Sequence, residues 1–425
     1  MISTTSRGPL VLFLGALLAL HAVVLKQEWS GIPVRTDFSI FYTAGTIVAN
    51  HHGHELYDYE LQKSVQQSSI RRGLREQDYV LPFNHPPFEA LLFVPLAALP
   101  YAPAYFVWVG SSLALLLITG IALNGHLSLL RTVPLWLWML ACLAYSPIFI
   151  CLTLGQDSIV LLLCYTLAWV ALLRKSDFSA GAWLGLGLAK YHLVLPFMVA
   201  FVLEKRAKVL AGFGVVAVVL GLISLLTVGW QGLLSYPRFL LFSERSTEQQ
   251  LTAEQPNLHG FLVTTLGNSR RVEVLVLAAS VVLLAVAWRG WRSAEAWGIL
   301  PRQLAFAQNL LVTLLVSYHA YVQDLSLLFL VLLLTLDVLM ARPALAIWSS
   351  KTLIVCLTTL LFSPIYLVLI LRFGHLWVLT PVLLFLLLAL MCGLRALARQ
   401  SLVQATQGPK LSAEGKTPKN KGAGC

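Results

Sequence analysis

The sequence predicts an all-α polytopic membrane protein, and three observations carry that prediction. Of the 425 residues, 58% are hydrophobic and 12% charged, where a soluble domain carries about 25% charged. Apolar runs near the roughly twenty residues that cross a bilayer recur along the chain. The excess of 30 Lys and Arg over 19 Asp and Glu, a net +11, is explained by positive-inside bias before any nucleic-acid partner.

Ten runs are long enough to cross with tilt: Pro9 to Leu25, Tyr101 to Leu123, Val133 to Leu152, Ser158 to Leu173, Lys208 to Val228, Val272 to Trp288, Pro301 to Tyr318, Leu325 to Met340, Ala344 to Leu371 and Leu376 to Leu397. The first reads as a retained anchor, because no small-x-small cleavage site follows it before Lys26. Between Ala180 and Leu203 the apolar run is broken by Gly181, Gly185, Gly187, Lys190 and Pro196 and flanked by basic residues on both sides. That pattern predicts a broken, re-entrant hairpin with both ends on one face.

A cytoplasmic N-terminus places 18 of the 30 basic residues inside, with both termini cytoplasmic and the membrane read as a bacterial plasma membrane. Residues 1–400 then form one integral membrane domain. Its extracytoplasmic face carries a first loop, residues 26–100, and a second region, residues 229–271. The Lys-, Gly- and Pro-rich tail, residues 401–425, reads as disordered. Cys142, Cys151, Cys164, Cys356 and Cys392 lie in apolar runs at no ligand spacing and read as small hydrophobes.

Chemistry must therefore come from loops and helix ends. Asp37 opens a helix-like stretch in which Phe38, Phe41 and Tyr42 share an apolar face. It reads either as an N-cap or as a general base at the water boundary, and the two roles coexist only if one oxygen stays free. His51, His52 and His54 are too closely spaced to converge on a metal and read as a polar turn. Asp58 reads as a helix cap. His85 and Glu89 flank Pro86-Pro87-Phe88, an extended entry to a surface helix, and either line a groove or anchor the loop.

Further polar groups interrupt the apolar runs. Lys190, with Tyr191 and His192 after it, needs an anion or a route to the headgroups. Gln156 and Asp157 form a tight turn, where Asp157 reads as a helix cap. His319 and Asp324 are five residues apart, so they share a face only if the helix breaks between them. Asn257 and His259 suggest no firm role.

The order of Asp37-Phe38 through Phe41-Tyr42-x-Ala44-Gly45, Leu56-Tyr57-Asp58, Pro86-Pro87-Phe88, Gly155-Gln156-x-Ser158 and Ser317-x-His319-x-Tyr321-x-x-Asp324 resembles glycosyltransferase family 87. The resemblance runs from about Pro9 to Leu397 and implies a GT-C-like bundle of about 10–11 transmembrane helices, a re-entrant segment and a large first loop with short surface helices. It implies transfer of a hexose, mannose first, from a polyprenyl-phosphate sugar to a lipid-linked or glycan acceptor, with inversion. Asp37 is then the base and His319 a donor-phosphate or acceptor-positioning group. Tyr42, His85, Gln156, Lys190, His192 and Asp324 are the substrate-binding candidates. No metal or other cofactor is expected where protein cations meet the leaving phosphate.

A transporter or flippase shares the span count and the Gly/Pro-broken segment, but the long first loop has no counterpart in a second half. A non-catalytic assembly subunit fits less well while Asp37 is present. No Walker, Rossmann, zinc or soluble Ser-His-Asp pattern is convincing.

Overall fold

The computed structural model describes residues 4–28, 36–70, 81–295, 298–342 and 350–406. The regular structure of those residues is all helical, with no strand among them. The helices are α1 (Thr4–Glu28), α2 (Phe38–Ala49), α3 (Tyr59–Ser69), α4 (Pro87–Phe93), α5 (Tyr101–Asn124), α6 (Leu135–Ala144), α7 (Ser146–Leu154), α8 (Ser158–Leu173), α9 (Asp177–Leu186), α10 (Tyr191–Leu203), α11 (Ala207–Leu251), α12 (Leu258–Leu266), α13 (Arg270–Glu295), α14 (Ile299–Val316), α15 (Ser326–Ala341), α16 (Ser350–Leu361), α17 (Pro364–Val368) and α18 (Thr380–Thr406). Among the described residues, eight helical stretches are long and apolar enough to cross a membrane.

Helices α14 and α15 form the centre, buried almost end to end, while α1, α11 and α13 turn most of their apolar surface outward. Leu226 is 85% exposed, which suits a side chain solvated by lipid tails. Gln303, Gln308 and Asn309 are buried in α14 and bond to carbonyls of Leu334, Val286 and Phe197. Amide side chains thus join helices where apolar packing drives no association. At the end of the bundle away from loop one, the Asp337 carboxylate accepts from Ser128 Oγ (2.6 Å), Leu129 N (2.8 Å) and Gln303 Nε2 (3.0 Å).

Two predicted spans are bent. Leu135–Ala144 and Ser146–Leu154 meet at 80°, and Leu353–Leu361 and Pro364–Phe373 at 67°. Their breaks face each other. The Ser146 amide donates to the Ser363 hydroxyl, the Ser146 hydroxyl donates to the Ser363 carbonyl (2.8 Å), and the hydroxyls of Tyr145 and Tyr366 lie 3.2 Å apart. Each bend thereby satisfies polar groups exposed by the other.

The segment from Asp177 to Leu203 doubles back, as expected. A straight helix of its 27 residues would be about 40 Å long, yet Arg206 Nη2 lies 2.8 Å from Asp177 Oδ2. The reversal falls in a tight turn at Gly187–Lys190. Glycines let α9 lie against α11: a Cβ at Gly181 would run into the Val209 carbonyl, and one at Gly212 into that of Phe178. Arg206 beside Asp177 and Val216 beside Gly185 put the two helices in parallel register, so α9 and α11 head the same way and α10 carries the chain back.

Loop one is a packed unit. Phe38, Phe41, Phe83 and Phe93 are fully buried, and Tyr42, Tyr101, Tyr105 and Trp108 nearly so. The region expected as the second extracytoplasmic one, residues 229–271, is largely helical: α11 breaks at Gly229 (φ 68°) and resumes as helix to Leu251, and α12 follows. The rings of Phe239 and Tyr236 in that extension pack at a tilt against Tyr57 of loop one. The helix α18 continues through Thr406, so the first residues of the expected disordered tail are helical and the rest lie outside the described residues. Cys142, Cys151, Cys164 and Cys356 are buried, while Cys392 is exposed on α18.

Gly181→Ala is expected to cost ~1–3 kcal/mol, the usual penalty of overpacking. Gly214→Ala, where a Cβ meets nothing within 4 Å, is expected to leave stability unchanged. Thermal unfolding of both variants in detergent checks this, and equal midpoints would remove the close α9–α11 approach from the stability of the fold.

Candidate active site

Asp37 heads α2 but does not cap it. Its carbonyl accepts from Ile40 N (3.0 Å), while its side chain makes no bond to the first-turn amides. The half-buried carboxylate instead accepts at Oδ2 from Gln156 Nε2 (2.7 Å), and Oδ1 carries no hydrogen bond among the described residues. Of the two readings of Asp37, the geometry excludes the side-chain cap and leaves an oxygen open.

Gln156 reaches Asp37 because α7 ends abruptly. Gly155 takes a left-handed conformation (φ 66°), and a Cβ there would lie 2.7 Å from Phe38 Cβ. Trp108 Nε1 donates to the Gly155 carbonyl (2.9 Å) and the Tyr105 hydroxyl to that of Thr153 (2.8 Å). The turn is therefore fixed from α5, next to the first residue of α2.

Lys190 sits at the hairpin tip, 4% exposed. Its Nζ donates to Asp324 Oδ1 (2.8 Å) and Gln156 Oε1 (3.3 Å) and pairs with Asp157 Oδ1 (3.1 Å). The amide of Gln156 is thereby oriented: a flipped side chain would set its NH2 against an ammonium and its oxygen against a carboxylate. Asp324 also accepts from Ser158 Oγ (2.8 Å) and Tyr321 N (3.0 Å). Asp157, expected as a cap, makes no cap bond and serves as a counter-ion.

His85 and Glu89 face this cluster from loop one. His85 Nδ1 lies 2.9 Å from Glu89 Oε2, and the Tyr57 hydroxyl donates to the His85 carbonyl (2.8 Å). Burial pushes Glu89 up to about 7, against the pull of His85 and with Asp157 adding to the rise. Burial alone would lower His85, but the adjoining Glu89 carboxylate outweighs it and holds the imidazole above its usual value. Asp37 is likewise raised by burial, against the Gln156 hydrogen bond and the Lys190 charge. The donor atoms of His85, Glu89 and Asp157 lie within 4.8 Å of one another. A cation held there would replace the His85–Glu89 bond and share Asp157 with Lys190.

The expected helix break occurs at Ser317, and a tight turn at Val322–Leu325 follows. His319 faces Gln255 (3.5 Å) and stacks on Tyr321, while His192 stands within electrostatic reach of Asp324, Lys190, His319 and His85. Asn257, which suggested no role in the sequence, caps α12 through Gly260 N (2.7 Å) and donates to the Ser317 carbonyl (2.9 Å). It fixes where the His319 segment starts. Tyr42 is set apart: its hydroxyl donates to the Leu99 carbonyl (2.8 Å) inside the loop-one core. His51, His52 and His54 form the expected polar turn, with His52 and His54 against Glu55.

Six short segments thus bring carboxylates, imidazoles and one lysine to one end of a helical membrane bundle. A family model described as glycosyltransferase family 87 matches residues 83–318. The chain belongs to this family. The family 87 match contains His85, Gln156, Lys190 and His192, ends one residue before His319, and begins after Asp37. A Mycobacterium tuberculosis protein, the polyprenol-phosphate-mannose-dependent alpha-(1-2)-phosphatidylinositol mannoside mannosyltransferase, is 30% identical over 228 residues, 49% of this chain and 52% of that protein. The chain thus spans about half the length of this curated relative. No solved structure matches it.

Lys190→Met is expected to destabilise the fold by ~3–5 kcal/mol, because Asp157 and Asp324 would remain buried without their cation. Chemical denaturation of the purified protein measures this, and an unchanged midpoint would mean the ammonium is not their counter-ion.

Proposed function

We propose that the protein transfers a hexose, mannose first, from a polyprenyl-phosphate sugar to a lipid-linked or glycan acceptor at the extracytoplasmic face, with inversion and with Asp37 as base. The observation that carries this reading is the Asp37 carboxylate, with one oxygen fixed by Gln156 and the other open, at the bundle end that also holds His319. Family membership and the name of the mycobacterial relative support the donor class.

In this mechanism the acceptor hydroxyl oxygen attacks the anomeric carbon while its proton passes to Asp37. The bond from that carbon to the phosphate oxygen breaks on the opposite side, and the polyprenyl phosphate leaves with the electron pair. His319 and His192 face that charge as donors, and no metal or cofactor is invoked. Lys190 acts indirectly, holding Gln156 so that its NH2 faces Asp37. Catalysis then rests on positioning, one base and charge stabilisation.

Turnover of radiolabelled polyprenyl-phosphate mannose by purified protein in lipid, with a panel of lipid acceptors, tests the reading. Asp37→Asn is expected to keep the fold and donor binding while losing at least about a hundredfold in rate, as a general base contributes. Activity near wild type would remove Asp37 from the mechanism. His319→Ala is expected to weaken donor binding in a lipid titration, and unchanged affinity and turnover would make that histidine structural.

The base must be ionised, so turnover is expected to fall as pH drops through a midpoint above the ordinary aspartate range, since burial raises Asp37. Lys190, His85 and Asp324 are the titratable neighbours that set this midpoint. Gln156→Leu removes a hydrogen bond that holds the pKa down, so the acidic limb is expected to move to higher pH. A pH–rate profile identical to wild type would separate Gln156 from the base.

A further inference from the structure

His85, Glu89 and Asp157 bring one imidazole and two carboxylates together where the start of α4 meets the turn after α7. One ligand atom from each lies within 4.8 Å of the others. Two ligands held about 2.0–2.2 Å from one ion stand up to about 4.4 Å apart, so small side-chain movements close the set. The chain prepares this spacing. His85 and Glu89 are four residues apart across Pro86-Pro87, and α4 begins between them. The His85 carbonyl accepts from the Tyr57 hydroxyl (2.8 Å), and its ring packs on Phe41 and Phe83.

The balance of buried charge points independently to a ligand. Glu89 is 0% exposed, Asp324 2% and Asp157 5%, and Lys190, at 4%, is the ammonium buried with them. Its Nζ is spent on Asp324 (2.8 Å) and Asp157 (3.1 Å) and makes no ion pair with Glu89 among the described residues. Even a protonated His85 leaves three carboxylates against two cations. The shortfall falls on Glu89: its Oε2 lies 2.9 Å from His85 Nδ1, while its Oε1 is buried with no hydrogen-bond donor among the described residues. The Asp157 carboxylate that adjoins it offers only acceptors. A buried carboxylate oxygen beside a second carboxylate is costly unless a cation joins them.

We propose that His85, Glu89 and Asp157 bind one divalent cation of the Mn²⁺ or Zn²⁺ class, which clamps the start of α4 to the turn after α7. Imidazole suits Zn²⁺ and carboxylate suits Mn²⁺, whereas Ca²⁺ and Mg²⁺ take oxygen ligands. The neutral imidazole gives up its bond to Glu89 and coordinates instead, and Asp157 serves the ion and Lys190 together. Loop one is thereby held to the bundle at a second place, besides the contact of Phe38 with Gly155. The ion is a structural clamp with no part in the proposed sugar transfer, and its binding is read without turnover, so the two readings fail separately.

The test uses tag-free full-length protein in detergent, stripped with EDTA, dialysed, and titrated with MnCl2, ZnCl2, CaCl2 or MgCl2. Bound Mn²⁺ is read from the loss of the free-ion electron paramagnetic resonance signal, bound metal from elemental mass spectrometry of the washed protein, and the unfolding temperature is recorded with every ion. Wild type is expected to bind one Mn²⁺ or Zn²⁺ per chain and to unfold at a higher temperature with it, with Ca²⁺ and Mg²⁺ weaker. Glu89→Gln keeps the size of the side chain and an acceptor for His85 while removing the charge. It is expected to weaken binding at least about tenfold, the lower end of what a partner outside the ligand shell is worth. His85→Gln is expected to weaken Mn²⁺ and Zn²⁺ by as much, and it decides the matter if Glu89→Gln does not fold. His52→Gln, which removes an exposed imidazole beside Glu55, is expected to bind as wild type. No binding of any of the four ions would overturn the proposal and leave a proton shared by Glu89 and Asp157 as the link between them. Binding unchanged in Glu89→Gln or His85→Gln, an equal loss in His52→Gln, or a preference for Ca²⁺ or Mg²⁺ would overturn it as well.

Discussion

The arrangement at the loop-one end depends on one buried ammonium. Lys190 is the meeting point of three chain segments, the hairpin tip, the turn after α7 and the tight turn before α15, through Asp157, Gln156 and Asp324. A lysine at that depth is costly without partners, and two aspartates buried without a cation are equally so. Each therefore fixes the other. The hairpin turns at Lys190 because its charge finds its counter-ions there, and Gln156 takes its orientation as a result.

Much of this was legible in the sequence, because hydropathy and charge asymmetry respond to the same solvent that shapes the bundle. The glycine-broken run with basic flanks foretold the hairpin, and the spacing of His319 and Asp324 foretold that they share a face only across a helix break. Bonds formed across long separations left no local trace. Asp157 looked like a cap because Asp before a helix usually is one, yet Lys190, 33 positions later, claims it. Asn257 was read as roleless for the same reason: its Asn-x-x-Gly spacing signals a cap, but its bond to the Ser317 carbonyl spans sixty residues. Tyr42 shows the converse, since a position within a motif did not reveal that its hydroxyl is spent on Leu99.

The described part of loop one is packed into the bundle rather than hung from it. Its aromatic cluster sits between α5 and the extension of α11, and through Phe38 it bears on the turn that presents Gln156. A side chain that faces reacting atoms is best carried on elements whose own positions are packed. Here α2 is held by rings on one side and by Gly155 on the other, so Asp37 inherits the rigidity of the bundle although it lies in a loop.

The paired bends carry a consequence for the order of synthesis. Ser146 leaves the ribosome 217 residues before Ser363, so throughout that interval its hydroxyl can meet His21 of α1 while its amide lacks the Ser363 acceptor it has in the finished bundle. A nascent chain halted anywhere before α17 holds a broken span whose Ser146 amide and Tyr145 hydroxyl lack the Ser363 and Tyr366 partners of the finished bundle. The first half of this protein is thus expected to remain with its insertase until the second half arrives, and biogenesis of the bundle proceeds as a single late closure rather than helix by helix.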